Sequence, residues 1–253
     1  MKINSKEKFK QYIAEYNKDF QGWNFSYLTR TGRMQSFPLS WNYYNEIKDY
    51  VQSVDSLLDM GTGGGEFLAE ISFLPVDTHA TEGYEPNIEL SRTRLESLGV
   101  KVHAIETDDK LPFDSNRFEL VINRHESYSV VELKRILKKQ GYFITQQVGG
   151  LNNIDLNSLL GAVNNQYENW DLRKAVQELL DYGFEIIKIK EDKVKTRFYD
   201  IGAIIYYLKA IPWQINKFNI DKYYKQLFAV HKLIEKQNFI DLLCHRFFII
   251  AKI

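Results

Sequence analysis

The chain's 253 residues carry 33 Lys plus Arg and 33 Asp plus Glu, a formal net charge of zero, which speaks against a protein that grips a nucleic-acid backbone through a basic surface. At 44% hydrophobic and 14% aromatic residues, intrinsic disorder is excluded as well. A single cysteine, Cys244, leaves no intramolecular disulfide and no cysteine-based zinc cage, and it fits a reducing compartment.

In chain order, "MKINSKEKFKQYIAEYNKDF" is charged and amphipathic, unlike the apolar core of a signal peptide. Residues 1–55, which include "GWNFSYL" and "SFPLSWNYYNEI", read as a helical, aromatic cap. Residues 56–60 form a buried strand, 66–74 a helix ended by Pro75, and "THATEGY" a second strand. A helix over 87–98 carries Ile88, Leu95 and Leu98 on one face, with Gly99 as its stop. "VKVHAIE" and "FELVINR" are the third and fourth strands. Residues 129–140 place Val130, Leu133 and Leu137 together, with Lys138 and Lys139 at the negative end of the helix dipole and Gly141 as its end.

The fifth strand is "YFITQQV", followed by a helix over 172–181 that stops near Gly183, then "FEIIKIK" and a last strand, "RFFIIAKI". Strands alternating with helices imply right-handed crossovers and an α/β fold whose sheet is mostly parallel and covered on both faces. The organisation is therefore a core over 56–192, a helical insertion over 193–244 that acts as a second cap, and 245–253 returning to the core as its final strand. The basic runs "KKQ" and "KIKEDKVKTR" read as a helix end and a solvated strand. The longest apolar run, "IGAIIYYL", has eight residues, far short of the roughly 20 that span a bilayer. A soluble, cytoplasmic protein without a membrane partner is expected.

Between the first strand and its helix stands "DMGTGGGE". In an open α/β sheet, ligands lie outside the carboxyl ends of the strands, and glycines there let a ligand approach the backbone. The spacing is D-x-G-x-G-x-G, with Asp59 two positions before Gly61. A carboxylate there repels a pyrophosphate and suits a ligand with an ammonium group, although the extra Gly64 leaves room for a dinucleotide. The second strand runs into "TEGYEPN", where Glu85 is the candidate to accept both hydroxyls of a ribose. Glu82 is its local rival, which strand alternation points elsewhere.

Together, "LLDMGTGGGEFL", "EGYEPN", "LPFDSNRFELVINRH" and "ILKKQGYFITQQVGG" resemble the class I S-adenosylmethionine-dependent methyltransferases over about residues 50–190 and the final strand. The closer resemblance is to bacterial members bearing "GTGGGE", "RHES" and "QQVG", whose substrate it does not supply. It implies a Rossmann-like, seven-stranded sheet with an antiparallel last strand. It also implies S-adenosylmethionine as cofactor, with Gly61, Thr62, Gly63 and Gly65 under its methionine part and Asp59 at its ammonium. Glu85, next to Pro86, would hold the ribose, and Asp108 would lie near the adenine amine. Relatives often carry Asp-Ala where this chain has Thr107-Asp108, so Thr107, Asp108 and Asp109 all stay open for that contact.

Methyl transfer requires nucleophile, methyl and sulfur in line and water excluded. At the end of the fourth strand stand Asn123, Arg124, His125 and Glu126. His125 is the candidate base or substrate orienter, against a helix-capping or carbonyl-bonding role. Arg124 and Asn123 line the cofactor or meet an anionic substrate. Gln146 and Gln147 are polar where a buried parallel strand is normally apolar, and they read as hydrogen-bonding within the pocket. Trp23, Trp41, Tyr43, Tyr44, Tyr206, Tyr207 and Trp213 belong to core packing or to a cap over the site, with Arg30 or Arg33 available to a flat or anionic acceptor. His79, His103, His231 and His245 read as structural. A small-molecule acceptor is favoured. No Asn/Asp-Pro-Pro-Tyr/Phe and no Pro-Cys follows the fourth strand, so base methylation is disfavoured. The alternatives are transfer to RNA or protein, and a cofactor-binding protein without transfer.

Overall fold

In a computed structural model, the structure describes residues 4–20, 25–163 and 165–253; Trp23 lies outside them. The elements in chain order begin with α1 (Ser5–Ile13), α2 (Ser26–Arg30), β1 (Met34–Ser36), α3 (Tyr43–Gln52), β2 (Ser56–Met60) and α4 (Glu66–Ala69). Next come β3 (Asp77–Glu82), α5 (Glu85–Leu95), β4 (Lys101–Ala104), β5 (Phe118–Arg124), α6 (Val130–Ile136) and β6 (Leu137–Val148). The chain continues through α7 (Ile154–Leu160), α8 (Leu172–Asp181), β7 (Glu185–Phe198), α9 (Ile201–Ala210), α10 (Ile220–Gln237) and β8 (Ile240–Lys252).

The strands form one sheet in the order β1-β7-β8-β6-β5-β2-β3-β4. Strands β2 to β6 pair in parallel, and β8 runs antiparallel to both β6 and β7. The expected seven strands become eight because β1, from the region read as a helical cap, pairs with Phe198, Arg197 and Thr196 at the edge. β3 and β4 lie on one side of β2 while β5 and β6 lie on the other, so the order reverses between β2 and β5 and their carboxyl ends open a crevice.

Successive side chains of a strand face opposite ways, and here both faces are covered. Leu57, Leu120, Ile122 and Phe248 join a core with Ile47 and Val51 of α3, while Leu58, Val121, Phe143 and Phe247 join one with Leu133 of α6 and Leu179 of α8. The pairing of β6 with β8 ends at Val148 opposite Arg246. Residues 193–198 and 240–245 pair on beyond that point, so a hairpin arm projects past the carboxyl edge. On it sits a third core, built by Phe9, Phe198, Ile204, Tyr206, Leu227 and Leu242.

Three sequence expectations shift. The helix over 66–74 is a single turn, since only Leu68 of α4 is buried and Phe73 turns to solvent. The helix over 129–140 ends at Ile136. Leu137 is extended, pairs with Phe118 and fills the core as a strand residue, and Lys138 ion-pairs with Glu119 at 3.0 Å instead of meeting a helix terminus. β7 and β8 run into the region read as a helical insertion, whose helices are α9 and α10. Gly99 and Gly183 do follow their helices, with φ of 83° and 86°. Among the described residues no helix is long and apolar enough to cross a membrane, and no group of His, Cys, Asp or Glu is arranged to hold a metal ion.

Candidate active site

The crevice starts at the end of β2. Gly61, Gly63 and Gly65 all have positive φ, 67°, 63° and 77°, and the turn is pinned by Thr62 N–H donating to Thr81 O at 2.9 Å and Gly65 N–H to Thr62 O at 3.0 Å. A Cβ on Gly61 would occupy the space of the Glu126 side chain. Gly64 has a different reason. A Cβ there would meet the Glu66 carboxylate at 2.6 Å, which is itself ion-paired to Arg94 at 2.9 Å.

Four carboxylates surround this turn. Asp59 is buried, and burial raises its pKa to about 6, with Arg124 opposing the rise and Glu82 adding to it. Glu82, the last residue of β3, is only 3% exposed. Burial raises its pKa as well, offset in part by hydrogen bonds from the backbone of Tyr84, Gly63 and Gly83. Asp108 is half-buried, raised by burial, and accepts from Ser127 Oγ. Glu126 is raised by burial and by the Asp108 charge.

Glu85 is placed differently from its expectation. It is the first residue of α5 and exposed, as is Pro86, which starts the helix. The buried acid at the strand's end is Glu82. Of the residues after β4, Asp108 turns inward while Thr107 and Asp109 are exposed.

Beyond the turn, β5 delivers Asn123, Arg124 and His125. Asn123 is fully buried, its Oδ1 accepting from Thr145 Oγ1 at 3.0 Å and Gln147 Nε2 at 2.7 Å and its Nδ2 donating to Ser127 O at 3.3 Å. Its side chain thus serves the strand ends rather than an open face. The Arg124 guanidinium lies 4.2 Å from the Phe67 ring centroid. His125 has φ 68° and donates its backbone N–H to Gln146 O at 2.8 Å. As a whole the residue is exposed. Even so, desolvation of the imidazole, followed by the charges of Arg246 and Arg124, lowers its pKa well below the ordinary histidine range.

Gln146 and Gln147 do hydrogen-bond internally, on opposite faces. Gln146 Oε1 accepts from Trp41 Nε1 at 2.8 Å, and its Nε2 lies 2.8 Å from His125 Nε2. Gln147 Nε2 also donates to Glu126 O at 2.9 Å. Residues 38–43 and Gln146 line an open cavity of about 530 Å³. Tyr43, one of these lining residues, is buried and donates its hydroxyl to Asn123 O at 3.2 Å.

The remaining candidates lie in other contacts. Arg33 is bound to Asp200 at 2.7 and 2.6 Å, Tyr206 packs in the third core, and the Tyr207 hydroxyl accepts from Asn153. His79 and His103 contact each other at 2.8 Å, His231 contacts Ser5 O, and His245 contacts Glu191. Cys244 is buried. The sequence reading weighs Glu82 as the rival of Glu85 and sets it aside on strand alternation, which does not hold for a strand buried on both faces, and it misses the Trp41–Gln146 contact, which joins residues 105 apart.

Residues 58–145 match the family of methyltransferase domains. No curated protein matches the chain. Among solved structures, a candidate methyltransferase of Bacillus halodurans C-125 superposes with a TM-score of 0.60 at 15% identity, covering 82% of this chain and 97% of that one. YcgJ of Bacillus subtilis gives 0.55 at 14%, covering 83% and 97%. The [4+2]-cyclase SpnF gives 0.50 at 14%, covering 82% and 80%. At these identities the likeness is one of fold.

Proposed function

We propose that the protein, whose residues 58–145 match the family of methyltransferase domains, is a class I, S-adenosylmethionine-dependent methyltransferase that transfers a methyl group to a small-molecule acceptor. One observation carries the reading: two buried carboxylates, Asp59 and Glu82, stand at the carboxyl ends of adjacent strands beside a turn in which Gly61, Gly63 and Gly65 all have positive φ. That donor set fits a ligand with an ammonium group and a diol. It disfavours a pyrophosphate, which would face four carboxylates. In this proposal Asp59 holds the ammonium end of S-adenosylmethionine over Gly61, Thr62, Gly63 and Gly65. Glu82 takes the ribose hydroxyls in place of Glu85, and Asp108 the adenine amine. When bound, the cofactor supplies an electrophilic methyl on a sulfonium.

The protein's own part is to position and to exclude water. Asn123 and Gln147 brace the loop that carries Arg124, His125 and Glu126, and Glu126 lies against Gly61 where it screens the cofactor from solvent. The Trp41–Tyr43 cavity is sized for a small acceptor, and the zero net charge favours one over a nucleic acid.

Calorimetric titration with S-adenosylmethionine, S-adenosylhomocysteine and NAD tests the reading. Binding of the first two should be lost in Glu82→Ala and retained in Glu85→Ala. Binding of NAD alone, or of none of the three, overturns it. A second reading, cofactor binding with different chemistry, draws support from the likeness to a protein described as a cyclase. Consumption of labelled methyl donor by a metabolite extract, but not by crude RNA, decides for methyl transfer to a small molecule.

A further inference from the structure

The orientation of one buried amide determines the chemistry available to His125. An indole N–H donates and never accepts, so the Gln146 atom facing Trp41 Nε1 must be its oxygen. The amide nitrogen then faces His125, and it too only donates. The imidazole nitrogen in that contact is therefore an acceptor, and the ring proton sits on Nδ1. Protonating His125 would set N–H against N–H unless the amide turned over, and turning it would set N–H against the indole. No carboxylate relieves this. The charged groups acting on the ring are Arg124 from β5 and Arg246 from β8, while the neighbouring Glu126 turns toward Gly61. Nδ1–H has no hydrogen-bond partner among the described residues.

Among the described residues these two arginines make no ion pair, a property shared with Arg30, Arg92 and Arg173, but of those five only Arg124 and Arg246 act on His125. Arg33, Arg94, Arg117, Arg135 and Arg197 each face a carboxylate. Among the described residues, Arg124 stacks on aromatic rings and Arg246 binds Asn152 Oδ1 at 2.6 Å, and neither makes an ion pair. Unpaired cations at the mouth of a crevice are complementary to an anion.

We propose that Trp41 and Gln146 are positioning residues that hold His125 as a neutral Nδ1–H donor. On this proposal the methyl acceptor is a small molecule with an anionic oxygen, a carboxylate or phenolate, received by His125, Arg124 and Arg246. This rests on the methyl-transfer reading and deepens it. The oxygen's lone pair forms the new bond to the methyl carbon, the C–S pair passes to sulfur, and no proton has to leave, so no general base is required.

Two measurements that need no cofactor turnover test it. Long-range nitrogen–proton NMR of the histidine rings should show His125 neutral, with its proton on Nδ1, from pH 6 to 8. In Gln146→Glu a carboxylate accepts from both Trp41 and the imidazole, so the fold is kept and His125 should become an imidazolium that titrates above 7. An Nε2–H tautomer or an imidazolium at pH 7 in the unaltered protein overturns the relay. Benzoate and 4-nitrophenolate, titrated at pH 8, should bind where benzylamine does not, and Arg124→Met should weaken them about tenfold or more, the scale of one lost charge-assisted hydrogen bond. Equal binding of benzylamine, or indifference to Arg124→Met, overturns the anionic acceptor. Because S-adenosylmethionine binding is measured separately, failure here leaves the cofactor reading standing.

Discussion

Burying Asp59 beside Glu82 pushes its pKa to about 6, and the direction has a thermodynamic consequence. A group whose folded pKa lies above its unfolded one stabilises the fold fully below the unfolded value and loses that contribution as pH rises through the folded value. The free protein should therefore lose up to about 3 kcal/mol between pH 4 and 7 from this residue. Asp59→Asn should remove the loss. Thermal melts should show the variant gaining on the unaltered protein as pH rises from 4 to 7, with the gap narrowing when S-adenosylmethionine supplies the ammonium counter-charge. Gly61 makes a second prediction at this scale. Alanine at φ 67° is strained by more than about 1 kcal/mol, and here its Cβ would also displace Glu126. Gly32 has φ 68° with open space around it. Gly32→Ala should show the backbone strain alone in a urea titration, whereas Gly61→Ala should also abolish cofactor binding.

At the scale of elements, Asp200 ties the N-terminal helices to the rest. It caps α9 by accepting from Ala203 N at 2.8 Å while gripping Arg33 through both oxygens. Breaking a largely buried pair from one side costs about 3 kcal/mol or more. Arg33→Met should lower the urea midpoint accordingly and expose residues before β1 to limited proteolysis. The elements also show what could be read in advance. Strands β2 and β5 were legible because burial on both faces makes continuous apolar runs. That same continuity misdirects the choice between Glu85 and Glu82, since alternation sets Glu82 aside in a strand that is buried on both faces. Leu137 misled for another reason. Its spacing from Val130 and Leu133 suits a helix, and it is buried like them, but it reaches the core as the first residue of β6. Asp59 and the glycines are local in sequence, so their proximity could be read there. The Trp41–Gln146–His125 relay is assembled only by folding.

Across the whole molecule, charge is sorted although the sum is zero. Asp59, Glu82, Asp108 and Glu126 gather around the glycine turn, and Arg124 and Arg246 stand on the side of His125. On the proposed reading, such an arrangement would receive the cationic cofactor on one side and the anionic acceptor on the other. The packing is sorted too, for none of the residues of the third core belongs to either core against the sheet's faces. Leu227→Ala should cost about 2–5 kcal/mol. Hydrogen exchange should then rise in α1, α9 and α10 while β2 and β5 stay protected; equal loss of protection in both would show that the cores unfold as one.

Strand β8 follows every other strand in the chain, yet it lies in the interior of the sheet between β6 and β7. A chain emerging N-terminus first can assemble β4-β3-β2-β5-β6 and then must wait. Until β8 docks, β6 offers a free row of backbone donors and acceptors flanked by Phe143 and Ile144, and β7 has no inner neighbour at all. Open apolar edges of this kind recruit strands from other chains. The nascent protein is therefore at its most adhesive just before its last strand is made, and its yield in a cell depends on what shields that gap during the wait.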